Sequence, residues 1–404
     1  KEYQSLLENG TWELVELPPG VNLMGCRWIY KIKRNADGTI AKYKARLVGQ
    51  GFSQKENIDY TDTYAPVANF TTIITALSIA AEKGLPVYQY DFHTAFLNGD
   101  IDHDVYKKPP EGYSDPKSNL VCKLKKGLYG IKQASKLWND KLNTFMITKL
   151  GYQRSLADSC VYYKFNGDKI QVAVLYVDDL IMFGDNDNER KELANQLMNE
   201  FKMEDLGRLH WFLGLRFCQS KDNKVITVDQ SQYIDSILRK HHLDNIKSTK
   251  TPLPGGTIYS KTDCPKEGSE EQLFMSKQPY RQLIGSLMYL LITRPDIKFH
   301  VIHLSRFVNN PGRTHMKGLM HVIRYLAGTK DMGITLGRPL TQVYDLLKYR
   351  EDGSQRDLSG LVGVADSDWA ADKNTRRSIS CKSKMDTSRV SSSGSSWEAE
   401  LNAL

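Results

Sequence analysis

Val172-Ala-Val-Leu-Tyr-Val-Asp-Asp-Leu-Ile-Met-Phe-Gly184 sets two apolar, β-branched runs, 172–177 and 180–183, on either side of Asp178 and Asp179. Runs of this length around a polar pair read as a buried β-hairpin with two carboxylates at its tip. Adjacent carboxylates beside a core repel each other and lose hydration, so they stay ionised there only where a cation compensates. Hard oxygen donors with no thiol or imidazole nearby favour Mg²⁺ or Mn²⁺. A merely solvated hairpin turn uses the same letters, and Tyr-Val-Asp-Asp alone does not decide between the two.

A third carboxylate lies upstream, in Val87-Tyr-Gln-Tyr-Asp-Phe-His-Thr-Ala-Phe-Leu-Asn-Gly99. The alternation of Val87, Gln89 and Asp91 predicts a strand that ends at Asp91, where a side chain can leave the sheet. Three aspartates on one sheet edge can hold two metal ions about 3.5–4 Å apart, an arrangement suited to in-line phosphoryl transfer.

The bulk composition sets the frame. A chain of 404 residues with 40% hydrophobic and 25% charged content is a folded protein of two or three domains. Its net charge of +8 favours a polyanionic partner without establishing one. The six cysteines are scattered, with no C-x-x-C pair and no zinc spacing, which reads as unpaired thiols in a reducing compartment. No apolar run reaches the length of a membrane span, and no signal peptide precedes Lys1. The abrupt start without Met reads as a piece of a longer polyprotein.

Toward the N-terminus, Cys26-Arg-Trp-Ile-Tyr-Lys-Ile-Lys33 and Ile40-Ala-Lys-Tyr-Lys-Ala-Arg-Leu-Val48 predict a hairpin turning at Asp37-Gly38. Lys42, Lys44 and Arg46 share one face of the returning strand. That face suits a triphosphate, and equally an exposed strand whose lysines discourage edge pairing. Residues 71–83 predict an apolar helix leading into the Asp91 strand. Leu124-Lys-Lys-Gly-Leu-Tyr-Gly-Ile-Lys-Gln-Ala-Ser-Lys-Leu-Trp138 is a glycine-punctuated loop entering a helix, and Gly127 and Gly130 permit close backbone approach to a ligand. Residues 188–200 predict a charged amphipathic helix, and 211–217 a hairpin or core strand. Residues 231–243 predict a helix with a basic end, which complements either its own dipole or a phosphate backbone. Residues 251–279 read as a linker. His300 and His303 have no further ligand in register and read as packing or surface.

The Y-V-D-D and D-x-x-T-A-F-L-N-G boxes, with the K-A-R-L-V segment and the L-Y-G-I-K-Q loop, resemble the reverse transcriptase of copia-type LTR retrotransposons over nearly the whole chain. The resemblance implies an α+β right-hand polymerase with an antiparallel palm sheet. Fingers and palm would span 1–215, a thumb and helical connector 216–330, a linker 331–358, and an incomplete RNase H-like α/β segment 359–404. It implies RNA- and DNA-templated DNA synthesis from dNTPs on a primer, with Asp91, Asp178 and Asp179 as catalytic residues and ligands of two Mg²⁺ ions, Mn²⁺ being a possible substitute. It further implies nucleotide contacts from Lys44, Arg46, Phe96, Gly130, Gln133 and Lys202. Phe96 would stand against the sugar, although its letters alone read as core packing. The implied partners are an RNA template, a DNA primer and their RNA–DNA hybrid, with no membrane. The implied location is cytoplasmic retrotransposon particles. Ser135 departs from the family, which usually has proline there.

The C-terminal stretch departs further. Leu361-Val-Gly-Val-Ala-Asp-Ser-Asp-Trp resembles the first strand of the family's RNase H domain, with Asp366 at its first metal carboxylate, and Glu400 stands at the second. Ser380-Cys-Lys-Ser-Lys-Met is short of apolar strand residues, and 388–396 is a polar run. The expectation is a vestigial metal site, poor order and no RNase H activity. This damage motivates a second reading, an inactive retrotransposon-derived fragment that binds nucleic acid or a protein partner.

Overall fold

A computed structural model describes residues 2–34, 39–113, 119–337, 361–367 and 380–386. The chain divides into two compact units, Lys1–Ala76 with Leu85–Arg208, and Leu77–Gly84 with Leu209–Leu404. Among the described residues no helix is long and apolar enough to cross a membrane.

The first unit is built on a six-stranded antiparallel sheet. Its strand order is Met203–Arg208, Tyr88–Phe92, Asp179–Gly184, Lys169–Tyr176, Val161–Asn166 and Gln153–Arg154. The two expected apolar runs form its central hairpin, and their near-continuous burial reflects cover on both faces. Helices Ala134–Thr144 and Asp187–Glu200 cover one face, packing Trp138, Leu142, Leu193 and Leu197 on Tyr90, Phe92, Leu175 and Met182. The indole of Trp138 meets Phe92 and Phe201 edge-on, at 5.0 and 5.3 Å between ring centres.

Strands Cys26–Arg34 and Ile40–Gly49 pair as a two-stranded ribbon, as expected; the Asp37-Gly38 turn lies outside the described residues. Antiparallel register puts Lys31 opposite Lys44 and Ile29 opposite Arg46, so the cations collect on one face. A separate four-stranded sheet runs Trp12–Glu16, Leu120–Leu124, Tyr106–Lys107 and Leu23–Met24.

The second unit has its own antiparallel sheet, Trp211–Phe212, Leu215–Gln219, Val225–Asp229 and Ile334–Gly337. The first two strands turn through Leu213 and Gly214, both at positive φ, which realises the expected hairpin. Helices Ser231–Lys240, Tyr280–Leu290, Lys298–Ser305 and Arg313–Gly328 enclose a core of Leu287, Leu304, Leu319 and Val322.

Two expected linkers are partly structured. Within 251–279, helix Glu270–Ser276 starts at the Ser269 cap and buries Met275. Within 331–358, Ile334–Gly337 pairs with Val225–Asp229, and one well-buried residue, Leu336, anchors it. Composition over a window misses such single anchors. His303, expected as packing or surface, is buried, and its Nε2 accepts from the Tyr259 N–H at 3.0 Å.

Leu361–Ser367 and Ser380–Asp386 pair antiparallel, with Asp366 opposite Cys381. The polar letters of the second strand therefore do not prevent pairing, since the ladder is made by backbone groups. Glu400 and the run 388–396 lie outside the described residues.

One buried lysine stands out in the first unit. Lys107 is 0% exposed, and among the described residues it has no ion pair. Burial pulls its pKa down, opposed by the neighbouring Cys122 and Cys26 thiols. Lys107→Met is expected to raise stability by roughly 1–3 kcal/mol. Denaturant unfolding of both proteins checks this, and a less stable Met variant would contradict it.

Candidate active site

Asp178 and Asp179 close the central hairpin. Tyr176 pairs with Asp179, leaving Val177 and Asp178 as a two-residue turn. Val177 has φ 59°, a left-handed conformation that a β-branched residue adopts only under strain. The turn is clamped on both sides. Trp138 Nε1 donates to the Val177 carbonyl at 2.7 Å, and the Phe92 N–H donates to the Asp178 carbonyl at 2.7 Å.

The second clamp belongs to the Asp91 strand. Antiparallel register puts Asp91 directly opposite Asp179, and Glu204 directly opposite Asp91 on its other side. Three acidic residues thus sit in one row across adjacent strands. His93 stands beside it, with Nε2 3.1 Å from Glu204 Oε2 and 3.7 Å from Asp91 Oδ2.

Burial, then repulsion from Asp178 and Asp91, pushes the Asp179 pKa up to about 6. Burial also raises Asp91, helped by Asp178; His93 and Lys44 pull it back. Lys44 is thereby close enough to act on the row. The Arg46 guanidinium lies 4.4 Å above the Tyr129 ring, which packs on Phe96 at 4.7 Å between ring centres. Burial raises the Tyr129 pKa; Arg46 opposes this, and Asp178 and Asp91 add to it. Tyr129 therefore belongs to the same electrostatic neighbourhood.

Other expected contacts have different surroundings. Gln133 is 0% exposed, with Nε2 donating to the Asp59 carbonyl at 2.7 Å and Oε1 accepting from Gln54 at 3.0 Å. Its amide braces the loop through these two contacts. Gly130 has φ 90°, and a Cβ there would lie 2.3 Å from the Gly49 carbonyl oxygen. A Cβ on Gly127 would lie 2.6 Å from the Phe96 carbonyl oxygen. Both glycines admit close approach of the chain itself. Lys202 is exposed at the edge beside Asp91, its carbonyl accepting from the His93 N–H at 2.8 Å. Lys42 is exposed further along the ribbon. A cavity of about 210 Å³ lies behind the turn, lined in part by Val177, Trp138, Phe96 and Ser135. Ser135 is the second residue of its helix, where proline is also accepted, so the departure from the family leaves the helix start intact.

Among the described residues no three His, Cys, Asp or Glu side chains converge closely enough to hold a metal ion as they stand. The donor chemistry nevertheless fits a hard divalent cation. The acids are carboxylates on directly paired backbone positions, where Cα atoms lie about 4.5–5.5 Å apart. Their mutual repulsion is what such a cation relieves.

Glu204, His93 and Tyr129 were not singled out by sequence reasoning. His93 and Tyr129 stand inside quoted boxes, but only strand order and ring packing connect them to the aspartates.

The chain belongs to the reverse transcriptase (RNA-dependent DNA polymerase) family, whose pattern matches residues 9–254. It is similar to the retrovirus-related Pol polyprotein from transposon TNT 1-94 of Nicotiana tabacum, 38% identical over 94% of this chain and 27% of that protein. A Pol polyprotein from transposon RE1 of Arabidopsis thaliana is 34% identical over 92% of this chain and 24% of that protein. A putative transposon Ty5-1 protein of Saccharomyces cerevisiae is 32% identical, covering 60% of this chain and 76% of that protein. These matches bear out the resemblance to copia-type retrotransposon reverse transcriptases. The chain spans about a quarter of the length of the two plant polyproteins.

The raised Asp179 pKa has a stability consequence. The folded state holds that proton up to about pH 6. The unfolded chain releases it near pH 4, so stability falls as pH rises through this window. In metal-free buffer, Asp179→Asn is expected to be more stable than the parent above pH 7, by about 2 kcal/mol once the shift is discounted for partial exposure to solvent, with the difference vanishing below pH 4. Thermal unfolding across pH 3–8 checks this; a difference independent of pH would contradict it.

Proposed function

We propose that this chain is a DNA polymerase that extends a DNA primer on an RNA or DNA template, using dNTPs. The observation that carries the proposal is the direct pairing of Asp91 with Asp179, beside Asp178, on a sheet edge. In a right-hand arrangement, the six-stranded sheet is the palm and the Cys26–Arg34 and Ile40–Gly49 ribbon belongs to the fingers. The helices of the second unit form the thumb and connector.

Asp91, Asp178 and Asp179 would hold two Mg²⁺ ions, with Mn²⁺ as substitute. When bound, these supply a lowered pKa for the primer 3′-hydroxyl and charge compensation for pyrophosphate. Lys44 and Arg46 bind the triphosphate, where their charges meet its oxygens. Tyr129 fixes the Arg46 guanidinium and backs Phe96, whose ring stands against the sugar and leaves no room for a 2′-hydroxyl. Lys202, at the same edge, reaches toward the pyrophosphate. The hairpin of Trp211–Phe212 with Leu215–Gln219 steadies the primer end, and the basic end of Ser231–Lys240 contacts the phosphates of the hybrid. Duplex affinity then falls steeply with salt. The RNase H-like segment, with Asp366 and Glu400 as a vestigial metal site, is expected to leave the RNA strand of a hybrid intact.

Primer extension on RNA and DNA templates with Mg²⁺ tests the assignment. The doubly substituted Asp178→Asn/Asp179→Asn chain is expected to lose extension by more than about 100-fold while still binding primer–template. Equal extension by both proteins would remove the site assignment. Binding of primer–template without incorporation by the parent, under any divalent metal, would favour the inactive nucleic-acid-binding fragment instead.

A further inference from the structure

Lys107 lies outside the acidic row, and nothing in the polymerase reading uses it. It ends the short strand Tyr106–Lys107 and stands directly opposite Cys122 in the Leu120–Leu124 strand. Both residues are 0% exposed. The Lys107 Nζ lies 4.1 Å from the centre of the Trp12 ring and donates to the Lys108 carbonyl at 3.3 Å. Cys26, only partly buried, directs its Sγ to that same carbonyl oxygen at 3.4 Å. The amine and the thiol thus converge on one acceptor oxygen, and each acts electrostatically on the other. The Cys122 thiol also interacts with the amine through a side-chain hydrogen bond.

We propose that Cys26 and Lys107 form an oxidation-dependent cross-link at the root of the cationic ribbon. Of the two thiols beside Lys107, the partly exposed Cys26 is the one open to a peroxide, while Cys122 is enclosed. Hydrogen peroxide transfers one oxygen to Cys26 Sγ; the sulfur is oxidised by two electrons, giving the sulfenic acid, and the peroxide is reduced to one water. The Lys107 Nζ lone pair then attacks that sulfur. The S–N bond forms, the S–O bond breaks, and the leaving hydroxide departs as water with one amine proton. The sum is one thiol, one amine and one peroxide giving a sulfenamide and two waters. A small thiol reverses the link by attacking sulfur, the amine leaving with the thiol's proton, and a second thiol restores Cys26.

Burial shifts the Lys107 amine toward the neutral form that the second step needs, and it slows the first step, which the Cys26 thiolate carries out. It holds the Lys107 amine below its usual range and the Cys26 and Cys122 thiols above theirs. A neutral amine is a nucleophile, whereas protonated thiols are slow in disulfide exchange. Once formed, the link pins Cys26, the first residue of the Cys26–Arg34 strand, to the neighbouring four-stranded sheet. The partner strand of that ribbon carries Lys44 and Arg46. Peroxide therefore acts on the base of the element that presents those cations.

The test is peroxide treatment of the full chain, followed by proteolysis and mass spectrometry. The expected product is a linked peptide joining Cys26 to Lys107, lighter by two hydrogens than its separate halves and lost on adding dithiothreitol. It is expected to be absent from Cys26→Ser and from Lys107→Met, and to persist in Cys122→Ala. A link that survives Lys107→Met but disappears in Cys122→Ala would identify a disulfide and overturn the proposal. Oxidation of Cys26 to sulfinic acid in the parent, without any linked peptide, would overturn it as well.

Discussion

The backbone ladder between Tyr88–Phe92 and Asp179–Gly184 is the constraint on which the first unit depends. Side chains alternate across a strand, so a slip of one residue would turn Asp91 to the opposite face and separate it from Asp179. The register is therefore fixed at several points. Tyr90 and Phe92 are buried on one side of their strand, against Trp138 and Phe201, and cannot exchange places with Asp91 without exposing two aromatic rings. The Phe92 N–H and the Trp138 indole N–H then hold the strained turn at Val177 and Asp178. Packing on one face thus specifies the position of carboxylates at the edge.

That position carries an electrostatic cost. Burial and its acidic neighbours push the Asp179 pKa up to about 6, while Lys44 and His93 soften the repulsion around Asp91. Charge of both signs is consequently arranged around one small region: an acidic row across the sheet edge, and a cationic ribbon face whose Arg46 is fixed over Tyr129. Such an arrangement suits a ligand that brings its own cations together with phosphate oxygens.

Much of this was legible in the letters, and the remainder was hidden for physical reasons. The β-branched runs around Asp178 and Asp179, and the alternation around Asp91, mark their strands because period-two burial is a local property. The pairing of strands so far apart in the chain is not local, and it was the family resemblance that joined them. Glu204 was missed because its role follows from the strand order, which puts Met203–Arg208 beside Tyr88–Phe92. Gln133 was expected at the nucleotide, yet its amide is consumed by Gln54 and Asp59, partners some 74–79 residues away in sequence. Gly130 was expected to admit close approach of a ligand; in the fold, the Gly49 backbone is what packs closely against it. Lys107, in a run of Tyr-Lys-Lys-Pro, carries no sign of burial in its neighbours, and only the surrounding sheet encloses it.

The central claim is that Asp91 and Asp179 act as one cation site because the ladder sets them side by side. Mn²⁺ binding followed by electron paramagnetic resonance, with Asp91→Asn, Asp179→Asn and the double variant, tests it most directly. The expected result is that either single substitution weakens binding about as much as both together, since each removes half of a shared site. Full-affinity Mn²⁺ binding by Asp91→Asn, with loss confined to Asp179→Asn, would contradict the account.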